Sequence, residues 1–349
     1  MQNLIRIGTR GSNLALKQVE EVVSLLKLNN FEIKTYDTTG DMDKKTPISK
    51  IEGTNFFTDT IEQSLIENNI DCAVHSAKDM PDIIPSKLYI SAITESIDKH
   101  DALVVRKGLK YKSIDELPYH AKVATCSPRR RQQLKKYRPD LQIEDIRGNI
   151  EERIEKLDNS DIDAIVISSA ALIRLGLQER ITQKIPFDIL QPHPLQGSLA
   201  IEIRESNSEL RQLFNKIDRR KKVLFVCIEN SCRSQIAEAI LNHFYWQNFV
   251  AYSCGSKPSG FVNPNAIKVM KQKRIDISDY KSKGFDELGD IKFDYIITMG
   301  CGDECPFYPA IKHIQWNISD PKGKSIEFFF KIVNEIEENI KMFVYNYAT

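Results

Sequence analysis

Across 349 residues the chain carries two tryptophans, six histidines and seven cysteines, and almost no net charge, with 49 Lys and Arg against 48 Asp and Glu. That balance argues against a general binder of nucleic acid, which needs an excess of positive charge. The cysteines are odd in number and lack a regular ladder, which excludes a disulfide scaffold and fits a reducing compartment where thiols react or pack in cores. No run of eighteen apolar residues occurs, so no membrane-spanning helix is expected. Met1 leads straight into a strand-like segment, with neither the basic region nor the apolar stretch of a secretion signal, so the expected location is the cytoplasm. No metal or membrane partner is expected. With 41% hydrophobic residues the chain is globular, and its length predicts two or three domains.

What is present is alternation of strands and helices. A strand over residues 4–7 runs through Gly8-Thr9-Arg10-Gly11-Ser12 into a helix with Leu16, Val19, Val23 and Leu26 on one face. A second helix carries Phe57, Ile61 and Leu65 and leads to the buried-strand pattern of residues 71–76. The segment 70–76 is echoed at 162–168, which two similar lobes would explain, as would the commonness of such strand starts. Hinges near 95–101 and 191–194 would let the chain cross between lobes twice, giving one lobe of residues 1–95 with 194–219 and another of 96–193. A charged stretch at 217–222 opens a third unit, 221–349. There a strand at 223–227 is followed by a helix with Ile236, Ala237, Ile240, Leu241 and Phe244 on one face, strands near 250–253 and 294–299, and helices near 265–273 and 327–343. This spacing predicts a parallel, doubly wound sheet.

The sharpest local signal is Cys227-Ile228-Glu229-Asn230-Ser231-Cys232-Arg233-Ser234, at a strand-to-helix junction. A loop wrapping a helix start aims backbone N–H groups and the positive end of the helix dipole at one point, and Arg233 adds a planar two-pronged cation. Such a cradle binds a tetrahedral oxyanion and favours a nucleophilic thiolate at Cys227, to which Ser231 and Ser234 can donate. Farther on, Cys301 and Cys305 stand close together in a Gly-rich turn; they could pair as a disulfide, join a metal site or remain thiols. Asp320-Pro321 offers either a general acid held by a stiffened turn or a plain helix-initiating turn.

Together these residues resemble the arsenate reductases built on the low-molecular-weight protein tyrosine phosphatase fold, over about 221–345. The resemblance implies that Cys227 is the nucleophile, that Asn230, Arg233 and Ser234 belong to the oxyanion loop, that Asp320 is the general acid, and that Cys301 and Cys305 are redox thiols. Cys232 and Cys254 read as structural. Phosphatases of this fold usually carry Asp-Pro-Tyr; here Lys322 follows Asp320-Pro321, which favours arsenate, and Glu229 stands where many relatives have glycine. The implied reaction begins with Cys227 attacking arsenate while Asp320 protonates the departing oxygen. Cys301 then displaces arsenite and Cys305 closes a disulfide, which thioredoxin, glutaredoxin or a small thiol reduces.

The first half carries Thr125-Cys126-Ser127-Pro128-Arg129-Arg130-Arg131, followed by Arg147 and Arg153. Without interleaved aromatics, arginines at a helix start suit the bidentate gripping of several carboxylates better than nucleic acid. His75-Ser76-Ala77-Lys78-Asp79-Met80-Pro81 places Lys78 and Asp79 just past a buried strand. With Thr9-Arg10-Gly11-Ser12 and Gln196-Gly197, this set resembles hydroxymethylbilane synthase (porphobilinogen deaminase), an enzyme of heme biosynthesis, over residues 1 to about 217. The resemblance implies that Asp79 handles protons as ammonia leaves and pyrroles couple. It also implies that Arg10, Ser12, Lys50, Lys78, Ser127, Arg129, Arg130, Arg147 and Arg153 bind the acidic arms of a dipyrromethane cofactor and of the chain growing from porphobilinogen to a linear tetrapyrrole.

Thr54 stands where the family has a second lysine, and Thr39 where it has an arginine. No residue corresponds to the third-domain cysteine that anchors dipyrromethane, so a separately encoded third domain is one way to supply it. The fold class expected is α/β: two periplasmic-binding-protein-like lobes, then a phosphatase-type doubly wound domain. The function expected is a bifunctional chain, with a pyrrole-carboxylate binding module fused to a tyrosine phosphatase as the alternative.

Overall fold

The computed structural model describes residues 4–43, 46, 53–300 and 308–348. The chain divides into two compact units, Met1–Arg219 and Arg220–Thr349. Among the described residues no helix is long and apolar enough to cross a membrane.

The first unit holds two five-stranded sheets. Its early elements are β1 (Ile5–Arg10), α1 (Asn13–Leu26), β2 (Phe31–Tyr36), α2 (Thr39–Met42), α3 (Asp59–Ile66), β3 (Cys72–Ser76) and β4 (Leu88–Ile93). The chain then builds β5 (Asp101–Val105), β6 (Lys122–Ala124), α4 (Pro128–Tyr137), β7 (Gln142–Glu144), α5 (Ile150–Asp158), β8 (Ala164–Ser168), α6 (Ser169–Arg174) and β9 (Gln183–Lys184). It returns through β10 (Leu199–Arg204) and α7 (Ser208–Phe214). The strand orders are β2-β1-β3-β10-β4 and β7-β6-β8-β5-β9. The echoed segments are β3 and β8, each the middle strand of its sheet. Each runs parallel to the strand on one side (β1, β6) and antiparallel to that on the other (β10, β5). In the second sheet alternate residues feed opposite layers, Leu103, Val123 and Val166 one way and Ala102, Ala124 and Ile165 the other, the period-2 rule for a sheet covered on both faces.

Two helix readings shift. The buried face of α1 is Ala15, Gln18, Val19 and Val22, one step from the Leu16–Val23 face expected, because Gln18 turns inward to donate to Ser76 at 2.8 Å. Phe57 precedes α3 rather than lying on it.

The second unit is β11 (Lys221–Cys227), α8 (Arg233–Phe244), β12 (Phe249–Gly255), α9 (Pro264–Gln272), β13 (Phe293–Met299), β14 (Ala310–Trp316) and α10 (Ile326–Tyr347). Its sheet, ordered β12-β11-β13-β14, is parallel throughout, as the alternation predicted. α10 buries Phe329, Ile332, Val333, Ile336, Ile340 and Phe343, a stripe of helical spacing, against a core that includes Phe225 and Phe249. Each fully buried Phe or Ile of that core contributes about 1.5–3 kcal/mol relative to exposure.

One topological rule positions the candidate sites. In all three sheets the first strand laid down among the parallel ones (β1, β6, β11) ends between its two successors, so the crossovers leave it in opposite directions. Splayed connections open a crevice at that strand's carboxyl end. Arg10 ends β1 and Ser12 follows it, Ser127 and Arg129 follow β6, and Cys227 ends β11.

Candidate active sites

In the second unit, Cys227 leaves β11 almost fully buried, at 2% exposure. The Asn230 backbone N–H donates to its Sγ at 3.2 Å, and the Ser234 hydroxyl lies 3.0 Å away. Asn230 adopts φ +48, a left-handed conformation that asparagine tolerates better than most residues. Its side chain holds the turn: Nδ2 donates to Ser234 and Ser253, and Oδ1 accepts from Gln235 and the Lys283 amide. Beneath it the Ser253 hydroxyl donates to Glu238, which also pairs with Lys283 at 3.3 Å. Asn230 therefore serves the sulfur through its main chain and the scaffold through its side chain. Gly255 lets the loop approach this closely, since a Cβ there would lie 2.6 Å from the Ile228 carbonyl oxygen and 2.8 Å from the Asn230 nitrogen.

Ser231, expected to donate to the Cys227 sulfur, is instead aimed at the Glu229 carboxylate 3.5 Å away. Arg233 opens α8 and is buried; its Nη1 donates to the Ile318 carbonyl and its Nη2 to Asp320 Oδ2, both at 3.0 Å. This brings Asp320 to the loop from 87 residues away. The Cys232 thiol is pushed up to about 11, chiefly by burial, which suits a structural role. Cys254 is fully buried. Cys301 and Cys305 lie outside the described residues.

In the first unit, Arg10, Ser12, Gln18, Phe57, His75 and Asp79 line one cavity of about 70 Å³, and Asp79 ends a short turn that follows β3. Arg10 is paired with Asp41, and burial offset by that pairing leaves its guanidinium above its ordinary range. Ser12 and Ser127 cap α1 and α4, accepting from the Ala15 and Arg130 amides, so each has a structural task whatever else it binds.

Arg129 and Arg130, expected to bind substrate carboxylates, share a partner the sequence did not point to. Asp101, wholly buried, takes Arg129 at 2.7 Å and Arg130 at 2.6 Å. Arg130 also donates to the Val166 carbonyl and to Gln196. Burial drives the Asp101 carboxyl up, and the Arg130 and Arg129 guanidinia outweigh it, so it lies below its ordinary range.

Among the described residues expected to bind acidic arms, Lys78, Arg147 and Arg153 have donors left over. Lys78 makes no hydrogen bond or ion pair with a described residue, and burial holds its ammonium below its ordinary value against the pull of Asp79. With a described residue Arg153 gives only Nε, to the Gly148 carbonyl at 2.7 Å, and burial with repulsion from Arg130 and Arg147 lowers it. Arg147 reaches the Thr46 carbonyl. Partly unspent, repelling cations around Asp79 fit a polycarboxylate such as dipyrromethane. Lys50 lies outside the described residues.

Comparison with known proteins gives one family match in each unit. The family model described as porphobilinogen deaminase, dipyromethane cofactor binding domain, matches residues 5–212. That described as low molecular weight phosphotyrosine protein phosphatase matches 222–348. The porphobilinogen deaminase of Clostridioides difficile (strain 630) is 42% identical over 217 residues, covering 61% of this chain and 71% of that protein. That of Syntrophomonas wolfei subsp. wolfei is 42% identical over 228 residues, covering 64% and 73%. A solved structure titled as an arsenate reductase in the phosphate binding state is 32% identical, covering 36% of this chain and 98% of that one, with a TM-score of 0.33. The chain thus belongs to the porphobilinogen deaminase family through its first unit, to which a second unit matching the low molecular weight phosphotyrosine protein phosphatase model is fused.

Proposed function

We propose that the second unit reduces arsenate through Cys227. The observation that carries this reading is the sulfur held at 3.2 Å by the Asn230 amide with Arg233 buried in the same loop, a cysteine sulfur and an oxyanion cradle in one place. Arg233 and the loop amides bind the oxyanion, Cys227 attacks arsenic, and Asp320, once released from Arg233, takes a proton from solvent and passes it to the departing oxygen, which leaves as water or hydroxide. Cys301 and Cys305 then carry the electrons, and a cytoplasmic thiol (thioredoxin, glutaredoxin or a small thiol) restores them. Lys322 in place of an aromatic after Asp320-Pro321 favours arsenate. The match to a phosphotyrosine phosphatase model keeps phosphate-ester hydrolysis as the second reading. Arsenite formation with a thiol donor, set against p-nitrophenyl phosphate hydrolysis by the same preparation, decides between them.

For the first unit we propose recognition of porphobilinogen and its oligomers by Lys78, Arg147 and Arg153 around Asp79. Bound dipyrromethane supplies a primer for chain growth; Asp79 holds and moves protons beside it. Turnover then requires an anchoring thiol, which a separately encoded third domain is one way to supply. Salt-sensitive porphobilinogen binding, lost in Arg147→Ala, with little hydroxymethylbilane made by the purified chain, supports the reading. Robust synthesis by the chain alone overturns the need for a separate anchor. Intact mass of the full chain reads any covalent dipyrromethane directly.

A further inference from the structure

We propose that Glu229 and Lys322 form an ion-paired rim over the Cys227 cradle that admits small tetrahedral oxyanions and disfavours those carrying an aryl group. The proposal rests on the reading of residues 227–234 as an oxyanion cradle.

The groups of the site are ordered from floor to mouth by exposure. Cys227 is buried and the Arg233 side chain is 5% exposed, whereas the side chain of Asp320 is 50% exposed, that of Glu229 31% and that of Lys322 63%. Two ion pairs therefore join the same two segments. The inner one links Arg233 to Asp320 and the outer one links Glu229 to Lys322.

Both ends of the outer pair are held. The Glu229 carbonyl accepts from the Ser282 hydroxyl at 2.7 Å and the Ser259 amide at 3.1 Å, which fixes the backbone from which its carboxylate projects. The Lys322 amide donates to Asp320 Oδ1 at 2.9 Å, which ties it to the acid segment. The Lys322 ammonium is largely exposed and meets the Glu229 carboxylate, which places the outer pair on the solvent side of the loop that holds Cys227.

A lone carboxylate beside an anion site repels the anion. Paired with Lys322, the rim carries no net charge, and a small oxyanion can pass to Arg233 without that penalty. A ligand bearing a ring on its oxyanion must project the ring outward between residues 227–234 and 318–322. It then has to part Lys322 from Glu229 and leave the carboxylate unpaired beside its own charge. An exposed pair contributes only modestly, so discrimination of about three- to five-fold is expected from it.

The experiment measures protection of Cys227 from iodoacetamide in the full chain by two probes of like charge and different size, methylphosphonate and phenylphosphonate. The readout is the ratio of their half-protecting concentrations, phenyl over methyl. In the native sequence the ratio is high. It falls about three- to five-fold in Glu229→Gln and equally in Lys322→Met, and no further in the double variant, because either change removes the same pair. Plain electrostatics would move both probes together and in opposite directions for the two variants, leaving the ratio unchanged; that result, or ratios moving oppositely, overturns the rim. Failure of methylphosphonate to protect the native chain is distinct, since it defeats the cradle itself and the rim with it.

Discussion

Arg233 and Asp320 are bonded to each other, Nη2 to Oδ2 at 3.0 Å, so the guanidinium that would grip an oxyanion is already partnered by the carboxyl that would protonate it. On the proposed reading, an incoming oxyanion would take over donors that Asp320 now uses and so release its carboxyl. That proposal would link binding and proton transfer in one exchange of partners.

Arg233→Lys keeps the charge but loses the planar fork that reaches both the Ile318 carbonyl and Asp320. We expect oxyanion-dependent activity to fall on the order of 100-fold, the usual cost of removing an oriented donor, with unchanged circular dichroism. Steady-state assays of arsenite formation check this; a loss under three-fold would remove Arg233 from the machinery.

Gly255→Ala puts a methyl 2.6 Å from the Ile228 carbonyl and 2.8 Å from the Asn230 nitrogen, both backbone atoms that cannot yield by a rotamer change. The loop must move, and with it the amide that faces Cys227. Phosphate protection of Cys227 should weaken at least tenfold while the far-UV spectrum persists. Unaltered protection would mean that the loop tolerates displacement.

Arg130→Ala should act on stability before binding. It leaves Asp101 buried with Arg129 as its remaining guanidinium, so the loss at neutral pH should stay below the ~3–5 kcal/mol of a fully unpaired buried charge. Because the folded Asp101 carboxyl lies below its ordinary value, its contribution is complete above the unfolded pKa of about 3.9 and disappears as pH falls through the folded value. Urea midpoints of native and variant chains should therefore differ widely at pH 7 and converge below pH 4.

After arsenate turnover without reductant, peptide mapping should find Cys301 joined to Cys305, and Cys305→Ser should accumulate an earlier mixed species. Full multi-turnover activity of both single serine variants with a small thiol would exclude the cascade.

The sequence by itself determined what depends on near neighbours. Buried strand, loop and helix at 223–244 are written in local hydrophobic periodicity, as is the recurrence of residues 70–76 at 162–168, now β3 and β8 at equivalent places in two sheets. The cradle at Cys227 was legible for the same reason, since Cys227, Asn230 and Ser234 meet within seven residues and one turn of chain. Only the tertiary structure decided which partners the charged groups take. Asp101 claims Arg129 and Arg130 across 28 and 29 residues, Lys322 claims Glu229 across 93, and Glu229 draws Ser231 away from the sulfur. Charge pairing at such separations leaves no period in the sequence: an arginine spells the same whether its fork faces a substrate or a buried aspartate, and the fold alone brings one or the other within reach.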